Sequence, residues 1–441
     1  MWKIGRFAGL KTLVVMAAAF GVVGLASVPA AAGGLWLYEV GTADIGLASA
    51  GYGARAQDAA TVLTNPAGMT RLEGSHFTLG AQALYADLVF APSDETSAGL
   101  GSIDGGNPIG WFPGGGAFYM YSVSPDLKVG AAIAGNFGLA LEYADGWVGR
   151  YYVEEGTLIG VSVLPSIAFR ANEQLSFGAS LNAMYGKLKQ RVAINIPGAL
   201  EDPDGELGLE DDTWGWGFNF GAMYEFSPAS RLGLTYNSQV ELDLKSQPAF
   251  TGLPADLEAR LRFLGLLDST VGLEITVPQQ AMLSGFHQVS ERYSLLWSIG
   301  WQQWSEFGKP DIALFEAAGD TLLTADLDYS DTWHYALGGQ YRLSDPWLLN
   351  LGVAYDTGFQ TEGEISPVMP MNSQWRFGAG VQNEVSETFG WGLAAEYLYA
   401  GTLDVDNRSS VGVALGGRGD LVGSYENVGV FLFASSLNWR F

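Results

Sequence analysis

Hydrophobic and polar positions alternate with a period of two along most of this chain. The pattern is clearest at its end. Across Asn427–Phe441, Phe431, Phe433, Leu437, Trp439 and Phe441 share one face, while Leu432, Ala434, Ser436, Asn438 and Arg440 share the other. A period of two predicts a strand, here with one face far more aromatic than the other. Residues 231–245 repeat the pattern: Leu232, Leu234, Tyr236, Val240, Leu242 and Leu244 fall on one face, and Arg231, Thr235, Asn237, Gln239, Glu241, Asp243 and Lys245 on the other. About fourteen such segments occur, at roughly 75–91, 113–124, 127–138, 157–170, 174–191, 213–226, 230–246, 271–289, 292–305, 326–342, 347–359, 372–385, 388–404 and 426–441. An even number of amphipathic strands with a greasy outer face predicts an all-β fold, a 14-stranded antiparallel transmembrane β-barrel.

The connections alternate in length. Short ones carry turn residues, as in Ser124–Pro125–Asp126, Ala171–Asn172–Glu173, Ser227–Pro228–Ala229 and Ser344–Asp345–Pro346. Long ones fall at about 92–112, 139–156, 192–212, 247–270, 306–325, 360–371 and 405–425. Such alternation predicts periplasmic turns and extracellular loops. Tyr185, Trp214, Tyr236, Trp301, Trp375 and Tyr399 stand near strand ends, where interfacial aromatic girdles are expected.

The N-terminal segment fits an exported protein. Lys3, Arg6 and Lys11 precede the apolar run Leu13–Ala26 and the small residues Ala30–Ala32, which predicts a signal peptide over residues 1–32. That run is too short to span a bilayer comfortably. Any membrane crossing must therefore use strands, and only a closed barrel pairs all their backbone groups. Without cysteine, no disulfide, thiol catalysis or Cys-based metal site is available. The formal net charge of −25 becomes −28 once the three leader cations are removed, which excludes a basic nucleic-acid footprint. Acidic residues cluster in expected loops, chiefly Glu201–Asp212, where divalent cations could bridge them to lipopolysaccharide. The terminal Phe441 is the expected signal to the barrel-assembly machinery, and a monomer is expected.

Two stretches break the alternation. Residues 33–74, rich in Gly and Ala, are expected to plug the barrel as a hatch, with the barrel itself running over 75–441. Residues 254–267 place Leu257, Leu261 and Leu264 on one helical stripe, which predicts an amphipathic loop helix forming one wall of a capture groove. His76, His287 and His334 are scattered, so no metal site is expected, and no nucleophile–base pair or cofactor motif points to an enzyme.

Residues 44–70, DIGLASAGYGARAQDAATVLTNPAGMT, resemble the start of the FadL family of outer-membrane long-chain fatty acid transporters, which also includes importers of aromatic hydrocarbons. The resemblance continues through Asn136–Leu139, Trp214–Phe218, Leu234–Tyr236, Trp301–Phe307 and Tyr335–Gly338, and so covers the mature chain in order. It implies a hatch-plugged barrel whose third strand kinks inward near Gly135, Asn136, Phe137 and Gly138, with Asn65, Pro66 and Ala67 beside the kink. It also implies passive uptake of hydrophobic molecules, by loop capture, luminal binding and lateral release through the wall. A pocket for fatty acids should offer a cation to the carboxylate. Ser330 stands where the family carries an inward basic residue. Lys187 matches another basic position, although the alternation of its strand points it outward. His334 and Arg376 have inward phase, as do Met184, Leu188 and Leu296, and all are expected to line the pocket. The missing cation keeps neutral hydrocarbons open as ligands. A general diffusion porin or a barrel lipase are further alternatives.

Overall fold

The computed structural model describes residues 41–196, 204–263, 265, 267, 269–315 and 321–441. The expected signal peptide and the first residues of the expected hatch lie outside them.

Fourteen antiparallel strands form a closed ring: β1 His76–Asp87, β2 Gly110–Ser122, β3 Leu127–Glu142, β4 Glu155–Arg170, β5 Leu175–Ile194, β6 Gly205–Ser227, β7 Ser230–Asn237, β8 Gln280–Gln288, β9 Tyr293–Gln302, β10 Thr332–Ser344, β11 Trp347–Asp356, β12 Gln374–Glu384, β13 Phe389–Asn407 and β14 Leu421–Arg440. The ring closes where β1 pairs β14, from His76 opposite Arg440 to Asp87 opposite Gly429. Both ends of the barrel chain meet at the short-turn end, where Ser75 and Phe441 exchange backbone hydrogen bonds of 3.1 and 2.8 Å.

The alternation sorts side chains as lipid demands. Trp111, Trp214, Trp216, Phe218, Trp333, Trp375 and Phe433 stand exposed on the outer surface. Ser180, Asn182, Asn219, Thr235, Ser284, Ser298, Gln340 and Asn350 are buried inside. In water, exposed aromatics on this scale would be a liability; facing acyl chains they are the stable arrangement.

Two of the expected strands are each divided. The segment 230–246 leaves the wall after Asn237, and Val240–Ser246 pairs instead with Thr270–Val277. The segment 271–289 is split in the same way, since only Gln280–Gln288 joins the wall. Val240–Ser246 and Thr270–Val277, together with Asp311–Phe315 and Thr321–Thr324, build a four-stranded sheet of their own. The break reverses the phase. Leu232, Leu234 and Tyr236 face outward, whereas Val240, Leu242 and Leu244 are buried in the interior cluster. A Cβ on Gly215 of β6 would lie 2.4 Å from Val240 and 3.0 Å from Leu242, so this glycine makes room for the inner sheet. Trp214 and Trp216 flank it on the lipid side. The acidic stretch 201–212 is not wholly loop either, because β6 begins at Gly205.

Residues 41–72 fill the barrel's lower interior and are almost wholly buried. A short helix α1 (Thr42–Gly46) packs on β11–β14, and a second, α2 (Thr61–Thr64), packs with the 3-10 turn Pro66–Arg71 on β2–β6. Wall hydroxyls satisfy the plug's backbone. Ser298 Oγ accepts from Gly51 N–H at 3.0 Å and donates to the Ser49 carbonyl at 2.9 Å, and Ser284 Oγ accepts from Gly53 N–H at 3.0 Å. The fit is close enough that a Cβ on Gly352 would sit 2.0 Å from the Leu47 carbonyl, and one on Gly233 would sit 1.9 Å from the Gly53 carbonyl.

Replacing Gly352 with Val is therefore expected to unseat α1 without breaking the wall. Barrel assembly, read from heat-dependent gel mobility, should persist, while liposomes carrying the variant should swell faster in sugars than those carrying the parent. Equal swelling would show that the plug tolerates the side chain.

Candidate functional site

At the β2–β3 seam adjacent wall strands part over most of their upper length. The two pair from Ser122 opposite Lys128 to Gly116 opposite Ala134, and the ladder then stops. Above that point β2 continues to Gly110 paired only with β1, and β3 continues to Glu142 paired only with β4. A loop contact closes the top of the gap, where Glu142 N–H donates to the Pro108 carbonyl at 2.7 Å. The result is a window in the wall, bounded below by Gly116–Ala134 and above by Pro108–Glu142.

The departure of β3 has a local cause. The register with β4 shifts between Gly135 and Phe137, which leaves Asn136 as a bulged residue. Gly138 adopts φ +148°, and a Cβ there would meet the Leu158 carbonyl at 2.7 Å. A Cβ on Gly135 would meet nothing within 4 Å, because that position borders the opening. Asn136 is buried, and its side-chain oxygen has no hydrogen-bond partner among the described residues.

Phe137 turns inward at the window and joins the largest apolar cluster, which lies above the plug. Its ring meets Phe307 edge-on at 6.2 Å. Phe307 packs on Trp304 at 5.1 Å and Tyr329 at 6.3 Å, and Trp304 stacks flat on Phe359 at 4.6 Å. Met184 and Leu188 of β5 belong to the same cluster, with Val240, Leu242 and Leu244 of the inner sheet. A second aromatic group closes the loop end: Tyr143 stacks on Trp147 at 3.8 Å, and the Tyr143 and Tyr425 hydroxyls lie 2.6 Å apart. In the expected capture helix, Ala255–Phe263, Leu261 is buried and Leu257 half-buried, whereas Phe263 is exposed; Leu264 lies outside the described residues.

Several expected positions are placed differently. Asn65, Pro66 and Ala67 do not sit beside the β3 kink. They press on Gly178 of β5 and Gly221 of β6, and Asn65 Nδ2 donates to the carbonyls of Gly53 at 2.6 Å and Ala222 at 3.2 Å. The plug residues nearest β3 are instead Val62 and Met69, packed over Gly130, Ala132 and Ala134 below the window. Leu296 is buried in the seam between plug and wall with Leu47, Ala48 and Ala50, not in the large apolar cluster. Lys187 points outward and pairs with Glu210 at 2.8 Å. Ser330 is exposed in a loop, and its N–H donates to the Phe359 carbonyl; the neighbouring Tyr329 is the residue that enters the cluster.

His334 and Arg376 do face the lumen, but both are held by Asp356. His334 Nδ1 lies 2.6 Å from Asp356 Oδ1, and Arg376 Nε donates to Asp356 Oδ2 at 2.5 Å. Gln374 donates to the same oxygen at 3.1 Å, and Glu396 lies 3.9 Å from the guanidinium. Beside them in the plug, Arg55 pairs with Asp44 at 2.7 Å. This buried network braces the lower lumen; its cations are committed to carboxylates.

The sequence from residue 23 to residue 441 matches the family model described as outer membrane protein transport protein (OMPP1/FadL/TodX). The chain belongs to this family. It is 26% identical to the long-chain fatty acid transport protein of Escherichia coli O6:H1, over 98% of this chain and 99% of that one. A Pseudomonas aeruginosa FadL homologue shares the fold with a TM-score of 0.77 and 20% identity, covering 91% of this chain and 98% of that one. The Pseudomonas putida toluene transporter TodX does so with a TM-score of 0.68 and 17% identity, covering 92% and 99%. As a member of the FadL family, the protein is a β-barrel of the outer membrane.

Removing one partner of a buried ion pair strands the other, at about 3–5 kcal/mol. Arg376→Met should therefore lower the thermal unfolding midpoint in detergent markedly, and adding Asp356→Asn should recover part of the loss. Additive losses in the double variant would show that the two side chains are not coupled.

Proposed function

We propose that this transporter takes up hydrophobic small molecules passively and delivers them sideways into the outer membrane through the β2–β3 window. The observation that carries this reading is the ladder that stops at Gly116–Ala134 beside a buried aromatic cluster. Transfer from water to an apolar site gains about 0.8 kcal/mol per CH₂, so a long acyl chain gains on the order of 10 kcal/mol. That gain supports capture at the loop end, where the inner sheet and the Trp147 group present apolar side chains, without any need for nucleotide hydrolysis. The same preference supports exit into lipid rather than into the periplasm, and the plug, hydrogen-bonded around the lower wall, favours the side route. The reading is of a transporter and not an enzyme.

Long-chain fatty acids are the substrate class that the name of the E. coli relative supports. Neutral aromatic hydrocarbons are the second reading, and two observations favour it. The cluster beside the window is rich in aromatic rings, those of Phe137, Trp304, Phe307, Tyr329 and Phe359. Three cations expected or found near it are paired with acids: Arg376 with Asp356, Lys187 with Glu210, and Arg150 with Asp204.

Gly135→Val places its side chain in the opening without a clash and should slow uptake several-fold while assembly is unchanged. Labelled oleate and labelled toluene, taken up by a deletion strain carrying the parent or the variant, separate the two substrate classes by which of them the variant slows. Unchanged uptake of both would remove the window from the route.

A further inference from the structure

At the periplasmic end, under the plug, lies a polar cavity of about 200 Å³ that the uptake route does not use. Four arginines line it: Arg71 from the plug, Arg231 at the start of β7, Arg292 in the β8–β9 turn and Arg342 near the end of β10. They are not equivalent. Arg71 is ion-paired with Glu225. Arg342 Nη1 donates to the Asp345 carbonyl at 3.0 Å. Arg231 is only 4% exposed, yet its partners are neutral: it donates to the Ala54 carbonyl at 2.6 Å and the Arg55 carbonyl at 2.5 Å, and lies 3.8 Å over the Phe286 ring. A guanidinium removed from water with no anion beside it is a costly arrangement. The lining holds four arginines and one carboxylate, Glu291, and Glu225 pairs with Arg71 from outside it, which leaves an excess of two positive charges.

We infer that this cavity is a binding site for a phosphate-type oxyanion, seated between Arg231, Arg292 and Arg342 at the junction of plug and wall. Guanidinium forks match tetrahedral oxyanions through paired N–H donors, and the two uncompensated charges match a dianion. Gln57 and Gln340, which hydrogen-bond each other at 2.8 Å across the plug–wall junction, add neutral polar groups to the lining. The apolar lining offers little surface for an acyl tail, since one face of Phe286 is covered by Arg231; the occupant is therefore a small ion or a lipid headgroup and not a hydrophobic cargo. Because the cavity touches both the plug (Ala56, Gln57, Arg71) and the wall, an anion held there ties the plug to the barrel. The same oxyanion chemistry is offered by dissolved phosphate and by a lipid phosphate headgroup.

Thermal unfolding and calorimetric titration of the full-length protein in neutral detergent test this. The probes are inorganic phosphate, dihexanoyl phosphatidylglycerol and dihexanoyl phosphatidylcholine, with sodium chloride at matched ionic strength. Saturable binding of phosphate or of phosphatidylglycerol, weakened at least several-fold in the Arg292→Gln/Arg342→Gln double variant, is expected. Both positions are exposed at the rim, so the variant keeps the buried Arg231 anchor and should fold. Binding of phosphate alone supports a dissolved source, and binding of phosphatidylglycerol alone a lipid source. Arg440→Gln, at a different part of the periplasmic rim, should leave affinity unchanged. No saturable binding of either anion, or binding equal in the parent and the double variant, overturns the site.

Discussion

Everything in this molecule depends on pairing backbone hydrogen-bond groups where no water can reach them. A strand edge left open in lipid costs several kcal/mol for each unsatisfied group. The ring of fourteen strands meets that demand by closing β1 on β14. The β2–β3 seam is a departure from it, and the departure is engineered locally rather than by default: a bulge at Asn136, a glycine at φ +148° and a loop contact from Pro108 that closes the top. The break lies next to the aromatic cluster, and it is on this juxtaposition that the proposed side exit rests.

The plug solves the same problem by other means. It lies against the wall through backbone and small side chains, with Ser284, Ser298 and Asn65 supplying the hydrogen bonds. Glycines on the wall let it approach closely, and the network of Asp44, Arg55, Asp356 and Arg376 adds charge pairing in the lower lumen. The interior is thus divided by depth: ion pairs and hydrogen bonds hold the lower half, and aromatic and aliphatic contacts fill the upper half. Only the upper half has the chemistry to hold an apolar cargo, and the window opens from it.

The wall was legible in the sequence because lipid and lumen impose opposite preferences on successive residues. Phe431 and Leu432, or Trp214 and Gly215, declare their faces directly. The period alone does not say what lies beyond a face. Val240, Leu242 and Leu244 continue the two-residue rhythm of β7, yet the chain leaves the wall at Ser238–Gln239 and their apolar face joins the interior cluster instead of meeting lipid. Leu296 and Met184 share inward phase but differ in height, so one packs on the plug and the other joins the large apolar cluster. Ser330 lies in a loop, where alternation has no meaning. The pairing of His334 and Arg376 through Asp356 joins three strands and is invisible to local pattern, although inward-phase acids such as Asp356 and Glu396 were a signal that the lumen carries its own counter-charges. The motif Asn65–Pro66–Ala67 lies in the buried segment inside the barrel, but its partners on β5 and β6 follow from packing that no spacing reveals.

The most direct measurement is photolabelling during uptake, with an alkyl probe carrying a diazirine in living cells and peptide mapping of the adduct. A cargo leaving through the wall should label β3 around Phe137 and the facing edge of β2 around Trp111. Labelling concentrated on plug residues 56–71 at the periplasmic cavity, with β2 and β3 unmarked, would mean that cargo passes through the barrel, and would contradict the account.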